Sequence, residues 1–534
     1  MARLRITAVL WLLVGMLASC ASNDPATPTA ARPAREVGGG GNFILTLGDD
    51  PPTLDPALVS DVTSALVVRQ LFSGLIKMDN RLEVVPDMAA TWDISPDERT
   101  YTFHLRPDIT FADGTPITAD DIQWSLERAT DPATGPIVSP TYLDDIAGVI
   151  EKVSGQASSL SGVKAIDPQT VEITLREPST LFLTKLANPT SFIVDRRAVA
   201  RGGDWFEQPN GSGPFKIAKW DRRRRLELVP NERYYGTPAK LGRVTFLLGA
   251  EGANSLGLYE DGDIDYTEIG SYDLDRINDP ADPLHSELRV TPQMTLSYVA
   301  FNTAEPPFDD PLVREAFVLL IDRVKLAEVS ADSSSEVARG ILPPGLPGAQ
   351  PADLPEPRAD IARARQLLAD SSYGGADKLP PIIGYTQGSG VGLLAQIAKD
   401  ELGVEIELRS QERFGDFLTV LNSDSFNLYD FGWVGDYPDP QNFLEVLFGA
   451  NGQYNFTNYQ NPRLDELLAQ AKAERDETRR GELYRQAEKL LLDEYVVLPI
   501  SHSTDYSLVK TYVQGLEITP LGILDLSTVS LRRQ

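Results

Sequence analysis

Apolar and polar residues alternate strictly from Tyr101 to Arg106. Tyr101, Phe103 and Leu105 fall on one side, and Thr102, His104 and Arg106 on the other. A period of two predicts a half-buried strand over 100–106. The period then lengthens. Thr118 precedes Asp120 and Asp121, and Ile122, Trp124, Ser125 and Leu126 follow, so a helix opens with Thr118 as its N-cap. Val163–Ile166 and Val171–Leu175 flank Asp167-Pro168-Gln169, a hairpin signal. Phe215–Trp220 and Leu226–Val229 read as a second strand pair. Helical spacing recurs at Leu312–Leu320 and Ile361–Leu368. Ile382–Tyr385, Leu393–Glu401 and Val404–Leu408 predict a strand–helix–strand unit. A long helical stretch covers Pro462–Glu494, with a break near Asp476–Thr478, and a strand is expected at Val496–Ser501. No internal repeat is visible. Mixed elements in this order predict an α/β protein of more than one domain.

The start of the chain follows a different pattern. Arg3 and Arg5 precede an apolar run from Ile6 to Leu17, interrupted by Thr7 and Gly15. A membrane-spanning helix needs about 20 apolar residues, so this run predicts a secretory signal. It ends in Leu17-Ala18-Ser19-Cys20, which resembles the bacterial lipobox, whose cysteine is acylated. Cys20 is the only cysteine in the chain, so no internal disulfide can form. Residues 21–41 are rich in Ala, Ser, Thr, Pro and Gly and end in four glycines. They bury too little to offset ordering and predict a flexible tether.

Charge and chemistry narrow the function. The 534-residue chain carries a net charge of −28, which repels nucleic-acid backbones. Arg222–Arg225, the one dense basic run, sits between two predicted strands and reads as a solvated turn. His104, His285 and His502 lie far apart, so no zinc site is expected. No G-x-S-x-G elbow occurs, and no cysteine nucleophile is available. Gly388-Ser389-Gly390-Val391-Gly392 lies between a strand and a helix, but Leu393 stands where a third nucleotide-loop glycine is needed. No catalytic constellation, cofactor or metal is expected, and no enzyme activity.

The segment from Gly432 to Pro440 carries the clearest recognition chemistry. Trp433 offers a flat apolar wall, and Asp436 is a carboxylate among aromatics, where a cation would feel it strongly. Its spacing alone equally fits a core tryptophan followed by a capping aspartate.

This segment, Gly432-Trp433-Val434-Gly435-Asp436-Tyr437-Pro438-Asp439-Pro440, is similar to the G-W-x-x-D-Y-x-D-P motif of the peptide- and nickel-type solute-binding proteins, family 5. Further matches run in family order. They are Leu54-Asp55-Pro56, Leu71–Leu75, Phe111–Asp121 (against F-x-D-G-x-P-x-T-A-x-D), Gly211–Phe215, Phe301-Asn302-Thr303 and Pro306–Arg314. The resemblance implies a periplasmic-binding-protein-like fold, with two hinged α/β lobes and an inserted domain. Mapped here, 1–20 is the signal and 21–41 the tether. Lobe I takes 42–77, 190–296 and 498–534, the extra domain 78–189, and lobe III 297–497.

The same resemblance implies a mechanism. Asp436 pairs with a ligand's terminal ammonium, while the backbone of Gly432 and Val434 adds the peptide as a strand. Trp433, Tyr437, Asn302, Tyr298 and Ser60 are implied as further ligand-binding residues. No arginine lies between Phe414 and Trp433, where some members hold the ligand carboxylate. The implied role is an extracytoplasmic, lipid-anchored receptor, expected to be a monomer, that hands its ligand to the permease of an ABC importer. Three readings stay open: a peptide receptor, a receptor for a glycan, metal chelate or opine-like solute, and an exported hydrolase, sensor or chaperone partner.

Overall fold

The computed structural model describes residues 40–135, 138–325, 335–346, 358–388, 390–411, 414–423 and 425–532. The expected elements recur with small shifts. The alternating segment is the strand Thr100–Leu105, buried at Tyr101, Phe103 and Leu105. The helix after Thr118 runs Ala119–Ala129. Asp121 Oδ2 accepts both the N–H (2.9 Å) and the hydroxyl (3.0 Å) of Thr118, which closes the first turn. The long helical stretch is two helices, Pro462–Ala473 and Glu477–Asp493, with Asp476 capping the second.

One large sheet organises the chain. Its path runs Ile406–Ser410, Ile382–Thr386, Leu428–Val434, Thr295–Phe301, Val497–Val509, Tyr266–Glu268, Asn42–Gly48, Arg243–Leu248, Arg225–Pro230 and Phe215–Asp221. Leu288–Pro292 and Ser335–Val337 also pair with Val497–Val509. Hydrophobic clusters cover both halves. One is built on Phe43, Leu45, Val67, Phe215 and Phe246, and others on Leu296, Phe443 and Leu447 and on Phe301, Phe317 and Leu428.

The strand Val497–Val509 joins the two halves. Residues 497–501 pair with Thr295–Phe301, and residues 504–508 pair with Leu288–Pro292. Sequence pattern placed its end at Ser501, eight residues early. The reason is composition: Ser501-His502-Ser503-Thr504-Asp505 is polar and shows no apolar alternation. Main-chain pairing on both sides carries the strand through instead. The His502 ring meets the Thr295 carbonyl at 2.7 Å, and burial pulls its pKa below the usual imidazole range.

A separate four-stranded antiparallel sheet holds Ala89–Ile94, Thr100–Leu105, Thr170–Thr174 and Val163–Asp167, in that order. The helix Ala119–Ala129 buries Ile122, Leu126 and Ala129 in a cluster with Phe103, Val171, Ile173 and Phe182. Burying each large side chain here contributes about 1.5–3 kcal/mol.

The Phe111–Asp121 motif is a structural joint. Gly114 takes φ +90°, and Asp113 Oδ1 accepts the Thr115 N–H at 2.8 Å. Gly211 presses on the large sheet's flank, where a Cβ would lie 2.1 Å from the Leu71 carbonyl oxygen. That carbonyl accepts the N–H groups of Ser212 and Gly213.

Candidate ligand-binding site

The strand Leu428–Val434 pairs along its whole length with Thr295–Phe301. On its other edge Ile382–Thr386 reaches only Leu428 and Tyr429. Among the described residues, no strand pairs with that edge at Gly432, Trp433 and Val434. Val434 is 56% exposed, and a Cβ placed on Gly432 would meet nothing within 4 Å. This is an open strand edge with unused main-chain groups.

Asp436 sits just past its end. Fully buried Asn442, on the helix Gln441–Phe448, organises the turn. Its Oδ1 accepts the Asp436 N–H (2.9 Å) and the Trp433 indole N–H (3.0 Å). Its Nδ2 donates to Asp436 Oδ2 at 3.2 Å. Asp439 caps the same helix, accepting the Gln441 N–H at 2.9 Å while paired with Arg480. Trp433 stacks on Phe431 and tilts against Tyr454, with centroids 6.4 and 5.0 Å apart.

Tyr142, from the four-stranded-sheet region, completes the surroundings. Its hydroxyl hydrogen-bonds the Asp436 carboxylate, and its ring meets Tyr437 edge-on at 6.4 Å. Burial raises the Asp436 pKa, and the bonds from Tyr142 and Asn442 oppose that only in part. Among the described residues no lysine or arginine forms an ion pair with Asp436. The arrangement is a desolvated anion short of positive charge, which suits an incoming cation. Arg69 is its counterpart. Burial lowers its pKa to about 10, Tyr142 opposes this in part, and among the described residues its one hydrogen bond goes to the Ala187 carbonyl at 3.5 Å.

Gly432, Trp433, Val434, Asp436 and Tyr437 are thus brought together. Tyr437 is buried, and its hydroxyl donates to Gln441. Tyr298 is 1% exposed and packs its ring on Tyr429, Phe431 and Phe448 in the interior. Asn302 is also interior. Its side chain donates to the Phe426 carbonyl and accepts from Ala304 N–H and Asn458. Ser60 is exposed, just before Asp61, which caps the helix Val62–Leu71. No hydrogen bond among the described residues links Ser60 or Asn302 to Asp436. Cys20 lies outside the described residues. Asn442 and Tyr142 were not foreseen. Asn442 could have been suspected from its place one residue inside the helix that Asp439 opens, whereas Tyr142 left no signal.

Other candidates resolve into structure. Asp430 accepts from Thr386 Oγ1 and from the N–H groups of Gln387, Gly388 and Val391, at 2.7–3.0 Å. The Gly388 and Val391 N–H groups of the glycine loop are therefore met by an internal carboxylate. In the basic run, Arg222 pairs with Glu207, and Arg224 and Arg225 pair with Glu251. Among the described residues no helix is long and apolar enough to cross a membrane.

Two α/β halves on one shared strand, a separate small sheet and an open-edged strand define a multi-domain periplasmic-binding fold. The chain belongs to the bacterial extracellular solute-binding proteins, family 5, whose profile matches residues 83–455. It is 31% identical over 492 residues to the periplasmic murein peptide-binding protein MppA of Escherichia coli, covering 89% of this chain and 90% of that one. It is 30% identical over 490 residues to the periplasmic oligopeptide-binding protein OppA of Escherichia coli, covering 89% of each. The "Probable deoxycholate-binding periplasmic protein YgiS" of Escherichia coli is 30% identical over 531 residues, covering 96% of each. The unliganded open form of MppA superposes with a TM-score of 0.76 at 29% identity, over 92% of this chain and 98% of that one.

Proposed function

We propose that this protein captures short peptides with a free amino terminus and delivers them to the permease of an ABC importer. One observation carries the reading. The open edge Gly432–Val434 leads directly to Asp436, a desolvated carboxylate without a cation. A peptide added along that edge uses its main chain for affinity, and its terminal ammonium reaches Asp436 and the Tyr142 hydroxyl. Trp433 walls the first side chain. Arg69 offers a guanidinium for a ligand carboxylate, which the stretch 414–433 lacks. The names of MppA and OppA, both peptide-binding, support the same class. Tyr298 and Asn302, both buried, are assigned as supports of the site rather than direct contacts, and exposed Ser60 remains a proposed ligand contact.

We further propose that lobe I comprises 42–77, 190–296 and 498–534, the extra domain 78–189 and lobe III 297–497, with the crossing strand Val497–Val509 at the hinge. Cys20 is the proposed anchor, with 1–20 as signal and 21–41 as tether. Cys20→Ser should move the protein from the membrane fraction to the soluble fraction. Unchanged membrane retention would exclude lipidation.

A non-peptide solute is the second reading. It is favoured by the name of the relative YgiS and by the missing arginine upstream of Trp433. Calorimetry of Asp436→Asn decides between them. The peptide reading predicts a loss of about 2–5 kcal/mol for a tripeptide with a free amino terminus, the cost of leaving one partner of a buried charge pair unmatched. The ligand-free unfolding midpoint should be little changed. Full affinity in the variant would set the peptide reading aside.

A further inference from the structure

Glu268 and Asp505 meet on one face of the large sheet, beside the point where the crossing strand changes partners. Glu268 stands opposite Ser507, and Asp505 lies two residues from Ser507, so all three share a face. Tyr266, two residues before Glu268, shares it too, with its hydroxyl 3.4 Å from Glu268 Oε1.

Two oxygens of this group, one on Asp505 and one on Ser507, are enclosed and lack a well-formed hydrogen bond. Asp505 Oδ2 is enclosed and has no hydrogen-bond partner. Ser507 Oγ is equally enclosed in a residue 0% exposed. It sits beside the Asp505 carboxylate, whose pKa it holds down a little, and meets no other partner by strict hydrogen-bond geometry. No lysine or arginine among the described residues pairs with either acid. Arg289 stands opposite Ser507 on the other flanking strand, but its guanidinium turns to the carbonyls of Leu288 and Ser286, at 2.9 and 3.4 Å. Burial first, and then the neighbouring Glu268, push the Asp505 carboxyl up to about 6. Each unmet buried acceptor is costly, so a bound group that brings positive charge and N–H donors together would be favoured.

The carboxylate side of the group reaches solvent. Asp505 is half-buried and Glu268 exposed. A divalent metal is a poor match, because calcium takes six to eight oxygens and this face offers two carboxylates, a phenol and an enclosed hydroxyl. An ammonium has three donors and a single charge, which suits two carboxylates and a hydroxyl.

We propose that Asp505 and Glu268 form a second cation subsite that takes a basic side chain of the ligand and makes the protein prefer peptides carrying lysine. The proposal rests on the peptide reading above, but the subsite can be probed without it.

The test is calorimetric titration of the full chain and of the Asp505→Asn, Glu268→Gln double variant with Ala-Ala-Ala and Ala-Lys-Ala. The wild type should bind Ala-Lys-Ala about tenfold more tightly, the scale of one partly desolvated charge pair. The double variant should bind both within about twofold while keeping the wild-type affinity for Ala-Ala-Ala. Equal affinities in the wild type, or a lysine preference that survives the double substitution, would overturn the subsite. If neither tripeptide binds, the peptide reading fails separately, and 1,5-diaminopentane then reads the subsite alone. Its binding to the wild type and loss in the variant would sustain the proposal, whereas no binding to the wild type would overturn it. Calcium chloride in metal-free buffer tests the remaining source of charge. Calcium binding that the double variant abolishes and diaminopentane cannot displace would replace the ammonium with a metal. Removing two repelling acids should not unfold the protein, and equal unfolding midpoints check this.

Discussion

Glu488 lies on the helix Glu477–Asp493 at 1% exposure. Its Oε1 accepts the N–H groups of Ile341 (2.7 Å) and Leu342 (3.0 Å). Burial raises its pKa from 4.5 to about 7, because the two N–H groups compensate only part of the lost hydration. An acid with a raised folded pKa binds its proton more tightly when folded. Its stabilising contribution is therefore full below pH 4.5 and lost as the pH rises to about 7. Glu488→Gln keeps an oxygen for both N–H groups and removes the charge. Denaturant melts should show a variant with less pH dependence over that window, and more stable at pH 8 by about 1–3 kcal/mol. A variant that loses stability at pH 8 would contradict this. At the same scale, Asp436 was legible because a motif of short range surrounds it. Asn442 and Tyr142 were not, since the first acts through a turn and the second through a contact spanning almost three hundred residues of chain.

The strand-to-helix turn after Ile382–Thr386 shows how an element is held. Asp430, from the next strand, accepts three N–H groups and a hydroxyl there, and so caps the helix Gly390–Ile397 without a ligand. Asp430→Ala would strand those donors, and the expected loss is about 2–4 kcal/mol of stability. A denaturant midpoint equal to the wild type would show that water replaces the carboxylate at no cost. The sequence made this strand–helix–strand unit visible, since apolar runs and a glycine turn mark it. It hid the crossing strand, where polar residues 501–505 carry no pattern and main-chain pairing decides. The family motifs Phe111–Asp121 and Gly211–Phe215 were equally plain, yet they build a joint rather than the site.

At the scale of the molecule, the small sheet's region touches the large sheet's far half at several points. Thr141 donates to Gln453 at 2.9 Å, Thr180 donates to the Lys472 carbonyl at 3.3 Å, Glu98 pairs with Arg475, and Tyr142 reaches Asp436. The Tyr142 and Tyr437 rings also meet edge-on, while the strand Val497–Val509 runs through both halves of the sheet. Such a join permits hinge motion, and a ligand bound on both sides stabilises the closed state by its differential affinity. The measurement that tests peptide capture most directly is small-angle scattering of the cargo-free protein, titrated with Ala-Ala-Ala and with its N-acetylated form. The radius of gyration should fall with the free peptide and stay constant with the acetylated one, because only the first brings an ammonium to Asp436. Equal compaction by both, or saturation by the free peptide with no compaction, would contradict the account.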